Sequence, residues 1–231
     1  MIKIENVEVV GWEHAIRGMR NPKNSWDRSD SDYRYLCYND KDKCPAGEYA
    51  IGPNDHKLMM SLASGGPVHA KYRRMIVVYL DITAPLYWWK EYDTYKVGSV
   101  ANSCSTMHKI AEKEFTLEDF SHEHLNDDCA SCEVNGGDHF YPLSALDVLK
   151  ITIDALNYWR RRYLATKNKD DWWQMIQLLP SSYNQKRTVM LSYEVLHNIY
   201  ISRKNHKLDC WRNFCKWIES LPYSELITGE Y

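Results

Sequence analysis

The chain has 231 residues, with 29 Lys and Arg against 31 Asp and Glu. That length is enough for a large hydrophobic core, and the near-neutral balance argues against the clustered basic footprint of a nucleic-acid binder. No run reaches the ~20 apolar residues of a membrane span, and the start, Met1-Ile2-Lys3-Ile4-Glu5-Asn6, lacks the apolar stretch of a signal peptide.

A soluble, cytoplasmic protein with no membrane or nucleic-acid partner is therefore expected. Seven cysteines is an odd number in a chain too large to need disulfide staples, so free thiols are expected in a reducing compartment. Residues 2–10 alternate and carry β-branched side chains, which predicts a strand. Trp12, Ile16 and Met19 have helical spacing over residues 12–20, and Asn21-Pro22 stops that helix. Residues 21–54 are polar and rich in Asp, Asn, Tyr, Gly and Pro, which reads as a long loop. Asn54-Asp55 is placed to cap a helix over residues 55–64, closed by Gly65-Gly66-Pro67.

Residues 74–83 form the clearest strand, stopped by Ala84-Pro85, with a short aromatic helix from Leu86 to about Glu91. Residues 93–108 are rich in Ser, Gly and Asn and read as a loop. Residues 116–140 are polar and read as an insertion. Two amphipathic helices are predicted over residues 143–166 and 169–178, a strand from Arg187 to Ser192, and a helix from Tyr193 to Arg203. The last helix runs from Leu208 to Ser220, its stripe of Trp211, Phe214, Cys215 and Ile218 reading as core. Strands and helices do not alternate as βαβ units. This predicts the α+β class, a mixed or antiparallel sheet with flanking helices, in a single domain over 1–231 with polar insertions near 21–54 and 116–140.

Two segments carry candidate chemistry. The loop beyond Pro85, with Asn102, Ser103, Cys104 and Ser105, offers hydroxyl and amide donors to phosphates or base edges without burying charge. From composition alone the favoured reading is a turn-rich connection whose Ser and Asn cap neighbouring helices. The second is the helix bearing Asn198 and Ser202 on one face, with Arg203 at its end, where it can meet a phosphate or pyrimidine carbonyls. The bland alternative is a C-terminal cation favoured by the helix dipole.

Taken in order, these residues resemble the flavin-dependent thymidylate synthases. That family carries Arg-His-Arg, two residues, Ser, one residue, Asn, two residues, Ser, one residue, Arg, after an Ala-Pro that ends a strand. Here the Ala-Pro is Ala84-Pro85, the Arg-His-Arg position holds Thr94-Tyr95-Lys96, and the first Ser is Ser99. With one inserted residue, Asn102 and Ser105 match the Asn and second Ser. The upstream His falls on His69. In the C-terminal half, Leu179-Pro180, Asn198, Arg203, His206 and Trp211 follow the family's series, with one-residue shifts at the last two. The resemblance covers about residues 65–108 and 175–215.

Departures are specific. Signature arginines are replaced at Thr94 and at Met107 or His108, and the family's Asn-x-Arg reads Ser192-Tyr193-Glu194, an anion for a cation. Arg17, Arg20, Lys71, Arg73 and Arg74 remain to compensate.

The resemblance implies one-carbon transfer to C5 of a deoxyuridine nucleotide, with FAD as cofactor, NADPH and methylenetetrahydrofolate as co-substrates, and a homotetramer. It implies flavin contacts from His69, Thr94, Tyr95, Lys96, Asn102, Ser192, Asn198 and His206. It implies nucleotide contacts from Glu91, Ser103, Cys104, Ser105, His108 and Arg203, with Arg203 and Ser105 at the reacting centre. Arg203 would favour electron density moving toward C5 of the base, and Tyr95 would stack where the family has His. The missing arginines keep open a non-catalytic nucleotide-binding relative, and the altered loop a related pyrimidine-nucleotide modification. A structural zinc site from Cys129 and Cys132 with Cys37, Cys44, His122, His124 or His139 is a third reading, carried by a single Cys-x-x-Cys.

Overall fold

The computed structural model describes residues 2–34, 49–128 and 143–229. The elements run β1 Lys3–Val10, α1 Trp12–Arg20, β2 Asp32–Tyr33, β3 Tyr49–Ala50, α2 Pro53–Ser64, β4 Val77–Pro85 and α3 Leu86–Tyr92. They continue with β5 Ser99–Ser103, α4 Thr106–Lys109, α5 Ala145–Thr166, α6 Lys169–Leu178, β6 Asn184–Ser192, α7 Tyr193–Arg203, α8 Asp209–Glu219 and α9 Glu225–Thr228. The main sheet has the order β1-β4-β6-β5, and β2 pairs antiparallel with β3. The class is the expected α+β, helices with antiparallel sheet.

The chain divides into two compact units. One comprises Met1–Lys3, Ile82–Tyr92 and Asn102–Arg187; the other comprises Ile4–Asp81, Asp93–Ala101 and Thr188–Tyr231. In the first, α5 packs on α6. Its core gathers Ile110, Phe115, Phe120, Leu149, Ile153, Leu156 and Met175. A Ser144–Asp147 capping box starts α5, the two side chains exchanging hydrogen bonds with each other's backbone N–H. Asn157, buried in the middle of α5, receives the Phe115 N–H at 2.9 Å and donates to the Phe115 carbonyl at 2.8 Å. Arg160 donates to the carbonyls of Ala111 and Glu112. Arg160 is therefore a staple between α5 and the segment at Ala111 and Glu112.

In the second unit, Trp12, Ala15, Ile16 and Met19 bury the i, i+3, i+4, i+7 face of α1. Gly11 precedes it at φ +95°, and a Cβ there would run into the Met75 carbonyl oxygen, so glycine is required. Helix α7 packs on α8 and α9. Trp211, Phe214, Cys215 and Ile218 are all buried, as their spacing predicts. On β4, Asp81 accepts from Asn6 of β1 at 2.9 Å and from Thr188 of β6 at 2.6 Å, which ties three neighbouring strands on one face.

The described residues 21–34 of the segment expected to be a long loop carry more local structure than its composition implies. Residues 21–23 and 26–28 are 3-10 turns, and 29–31 wrap around Asp55. The start of α2 also differs from expectation. The cap is Gly52 with Pro53 in the first turn, a pairing that favours initiation because proline's missing N–H is unneeded there. The N–H groups of Asn54 and Asp55 are satisfied by the Asp30 carboxylate, which comes from outside the helix. Asp55 itself is buried, accepting from Arg20 Nε at 2.6 Å and from the Ser29 and Ser31 hydroxyls at 2.7 Å each. Strand β4 begins later than expected because residues 70–74 wind into a 3-10 turn. Within 93–108, residues 99–103 form edge strand β5 and Ser105 caps α4.

Candidate functional site

Helix α7 positions the C-terminal candidates. Ser192 is buried at its N-cap and its hydroxyl accepts the Val195 N–H, so that side chain serves the helix start. Eleven helical residues later the chain exits at Arg203. Asn198 and Ser202, four apart, are both exposed on one face.

Arg203 is held from two sides within its own unit. Its Nε donates to the Tyr95 hydroxyl at 2.9 Å. Its guanidinium carbon lies 4.9 Å from the Trp211 ring centroid and 5.6 Å from that of Tyr95, within the range of a cation–π attraction. Tyr95 and Trp211 meet edge to face at 6.0 Å, and the His206 ring stands 6.3 Å from Trp211. The His206 N–H bonds the Arg203 carbonyl, and its Nδ1 accepts the Leu208 N–H at 3.2 Å. Tyr95, distant in sequence, thus forms one cluster with Arg203, His206 and Trp211, with Trp211 fully buried beneath it. Lys96 beside Tyr95 is exposed. His69 is exposed in the same unit, and its ring packs against Gly65, where a Cβ would crowd it.

The other unit carries Glu91, Asn102, Ser103, Cys104, Ser105 and His108. Asn102 and Ser103 are exposed at the end of β5, and Cys104 is an exposed free thiol. The Cys104 backbone is fixed on both sides: its N–H donates to the Lys186 carbonyl at 2.9 Å and its carbonyl accepts from Gln185 at 3.0 Å. The Ser105 hydroxyl accepts the His108 N–H at 3.0 Å, so this serine caps a helix as the bland reading of the loop requires. Thr94 lies exposed in the 3-10 turn 93–95.

The anion at position 194 is turned inward. Glu194 is buried, and its Oε2 has no hydrogen-bond partner among the described residues. Arg73 is buried as well, and both charges act on His197. Burial lowers the pKa of that imidazole, its Nδ1 bond to the Ile227 carbonyl raises it, Arg73 lowers it, and Glu194 raises it; the net direction is down. Arg20 is likewise committed to the interior, its terminal nitrogens bonding Ser25 and the Arg28 carbonyl while Nε holds Asp55. Of the cations proposed to compensate, Arg20 and Arg73 are therefore buried, while Arg17, Lys71 and Arg74 are exposed.

Clefts open elsewhere on this unit. One of about 570 Å³ lies along residues 7–14 with Tyr33 and Tyr49, and one of about 580 Å³ is lined by Arg20, Lys23, Arg28 and Asn54. Neither is lined by Arg203. Among the described residues no group of three or more His, Cys, Asp or Glu is placed to hold a metal. The cysteines of the zinc reading, Cys37, Cys44, Cys129 and Cys132, and His139 lie outside the described residues.

Sequence reading placed Trp211 in the family series without giving it a role. Its contact with the guanidinium was hidden because spacing alone assigns a helical aromatic stripe to core, and this ring is both.

The class is therefore an α+β protein with antiparallel sheet and flanking helices, presenting a cation held by aromatic rings at a helix end. The particular fold is that of the flavin-dependent thymidylate synthases. The chain superposes on Helicobacter pylori ThyX complexed with FAD and dUMP with a TM-score of 0.62 at 15% identity, covering 99% of this chain and 98% of that one. A further Helicobacter pylori ThyX structure with FAD and dUMP gives 0.62 at 14% identity, covering 100% and 98%. The UMP/dUMP methylase PolB from Streptomyces cacaoi, bound with 5-Br dUMP, gives 0.60 at 14% identity, covering 99% and 95%. No family model matches the chain, and no curated protein matches it by sequence.

Proposed function

We propose that the protein transfers a one-carbon unit to C5 of a uridine nucleotide, dUMP first among candidates, with FAD as cofactor. One observation carries the reading. In a chain sharing the ThyX fold along its whole length, Arg203, which the sequence resemblance matches to the family's pyrimidine-binding arginine, is pre-set by Tyr95 and Trp211. A cation fixed at that point stabilises negative charge developing on the base as C5 becomes nucleophilic, and being pre-positioned it needs no reorganisation during reaction.

The donor set suits the cofactor. Asn198 is an exposed amide, Lys96 an exposed cation and His206 a ring fixed through its Nδ1; these, with His69, would hold flavin carbonyls and phosphates. Bound FAD supplies redox chemistry and carriage of the one-carbon unit, with NADPH as electron source and methylenetetrahydrofolate as carbon source. The loss of signature arginines removes charge-assisted bonds to phosphate, and each one lost weakens binding by about 1.5–3 kcal/mol. A homotetramer with shared sites fits the apolar side chains exposed on α5, Val148, Ile151 and Tyr158. Among the described residues no helix is long and apolar enough to cross a membrane, consistent with a cytoplasmic enzyme. The resemblance to PolB favours a second reading, methylation of UMP as well as dUMP.

The test is purification with inspection for a flavin absorption band, then assay with dUMP or UMP, methylenetetrahydrofolate and NADPH. Flavin with turnover supports the enzyme. Nucleotide binding without flavin would instead identify a non-catalytic relative. Arg203→Ala should weaken dUMP binding tenfold or more while the exposed Arg161→Ala leaves it unchanged; equal effects would refute the site.

A further inference from the structure

We infer that Tyr95 is a positioning residue for nucleotide recognition: its hydroxyl, bonded to Arg203 Nε, sets the orientation in which the guanidinium meets the base. The inference rests on the reading that Arg203 binds a pyrimidine, and it gives Tyr95 a duty distinct from stacking on flavin.

The geometry carries the argument. An arginine side chain has four rotatable bonds and a flat, five-donor head. Trp211 lies 4.9 Å from that head and restrains where it sits, but a ring face alone leaves the guanidinium free to rotate in its own plane. The bond from Nε to the Tyr95 oxygen at 2.9 Å adds a directional restraint within that plane. Tyr95 is in turn anchored, its carbonyl accepting the Ser99 hydroxyl at 2.9 Å and its ring resting edge-on against Trp211. The arrangement is particular to this sequence, because Thr94-Tyr95-Lys96 stands where the resemblance puts Arg-His-Arg. The phenol reaches a nitrogen that belongs to the next functional segment, so the changed motif and the unchanged arginine are physically coupled.

Orientation by a neighbour raises affinity by removing the ordering loss on binding, so its removal is read as weaker nucleotide binding without loss of fold. The experiment is calorimetric titration of the purified protein with dUMP, which requires no turnover, for wild type, Tyr95→Phe, Arg203→Ala and the double variant. Tyr95→Phe keeps the ring and deletes only the acceptor. It should weaken dUMP binding roughly five- to tenfold with the melting temperature preserved. In the Arg203→Ala background the same change should cost nothing further, because its effect passes through that side chain. An equal loss in both backgrounds would assign Tyr95 a merely structural or independent role and overturn the inference, as would wild-type affinity in Tyr95→Phe alongside a damaged Arg203→Ala. Wild-type affinity in Arg203→Ala would overturn the pyrimidine assignment itself, and the inference with it.

Discussion

Replacing Asp55 by asparagine keeps the shape of the side chain and removes its charge at the centre of a closed hydrogen-bond network. The wild-type carboxylate is fully buried. One oxygen accepts from Arg20, and the other from the Ser29 and Ser31 hydroxyls and the Asp30 and Ser31 N–H groups. Asparagine would present an NH2 to a cage made of donors and leave Arg20, itself buried, with an uncompensated charge. Breaking one side of a buried pair costs about 3–5 kcal/mol. In a chain of this size each kcal/mol lowers Tm by roughly 2–4 °C, so a drop of about 8–16 °C is expected for a loss of ~4 kcal/mol. Differential scanning calorimetry and urea unfolding at pH 7 measure it. The acid limb supplies a second reading. Burial by itself raises the Asp55 pKa, but Ser31, Ser29, Arg20 and the Asp30 N–H outweigh it and hold the group below its ordinary value of 3.8. A depressed carboxylate contributes stability that is fully present above the unfolded pKa and lost as pH falls through the folded one. The variant should therefore lose stability most at neutral pH and converge on wild type in strong acid. A loss below ~1 kcal/mol at pH 7, within the range of exposed ion pairs, would refute the reasoning.

Gly11→Ala should destabilise by more than ~1 kcal/mol, since it combines φ +95° with a collision at Met75; an unchanged Tm would contradict the packing. Asn157→Leu should cost about 2–3 kcal/mol in urea unfolding, because both backbone groups of Phe115 lose their buried partner. His197, lowered chiefly by burial, contributes stability present above pH ~6.5 and lost as the pH falls through its folded value. His197→Gln should flatten the stability profile between pH 7 and 5, and an unaltered slope would count against that. Among the three described cysteines, exposed Cys104 should be alkylated first, while burial pushes the Cys215 thiol up to about 11 and keeps it inert. If Cys104 faces the nucleotide, dUMP should slow its alkylation by iodoacetamide severalfold, a comparison made against Cys104→Ser.

Local patterns alone determined much of this protein. The helices over 12–20 and 169–178 and the final core stripe of Trp211, Phe214, Cys215 and Ile218 follow from 3.6-residue spacing, which reports burial directly. The ordered series Ala84-Pro85, Leu179-Pro180, Asn198, Arg203 was legible for the same reason, since it needs only spacing along the chain. Tertiary structure decided everything that depends on side chains meeting across long separations. Asp30 caps a helix that begins at Pro53, and Asp55 organises residues that composition marks as loop. Glu194, read as a lost cation at a binding surface, is turned into the interior. Tyr95 finds Arg203 across 108 positions of sequence. A hydrogen bond depends on the distance between two groups in the folded chain, and no one-dimensional spacing encodes that distance once the segment between them has folded back.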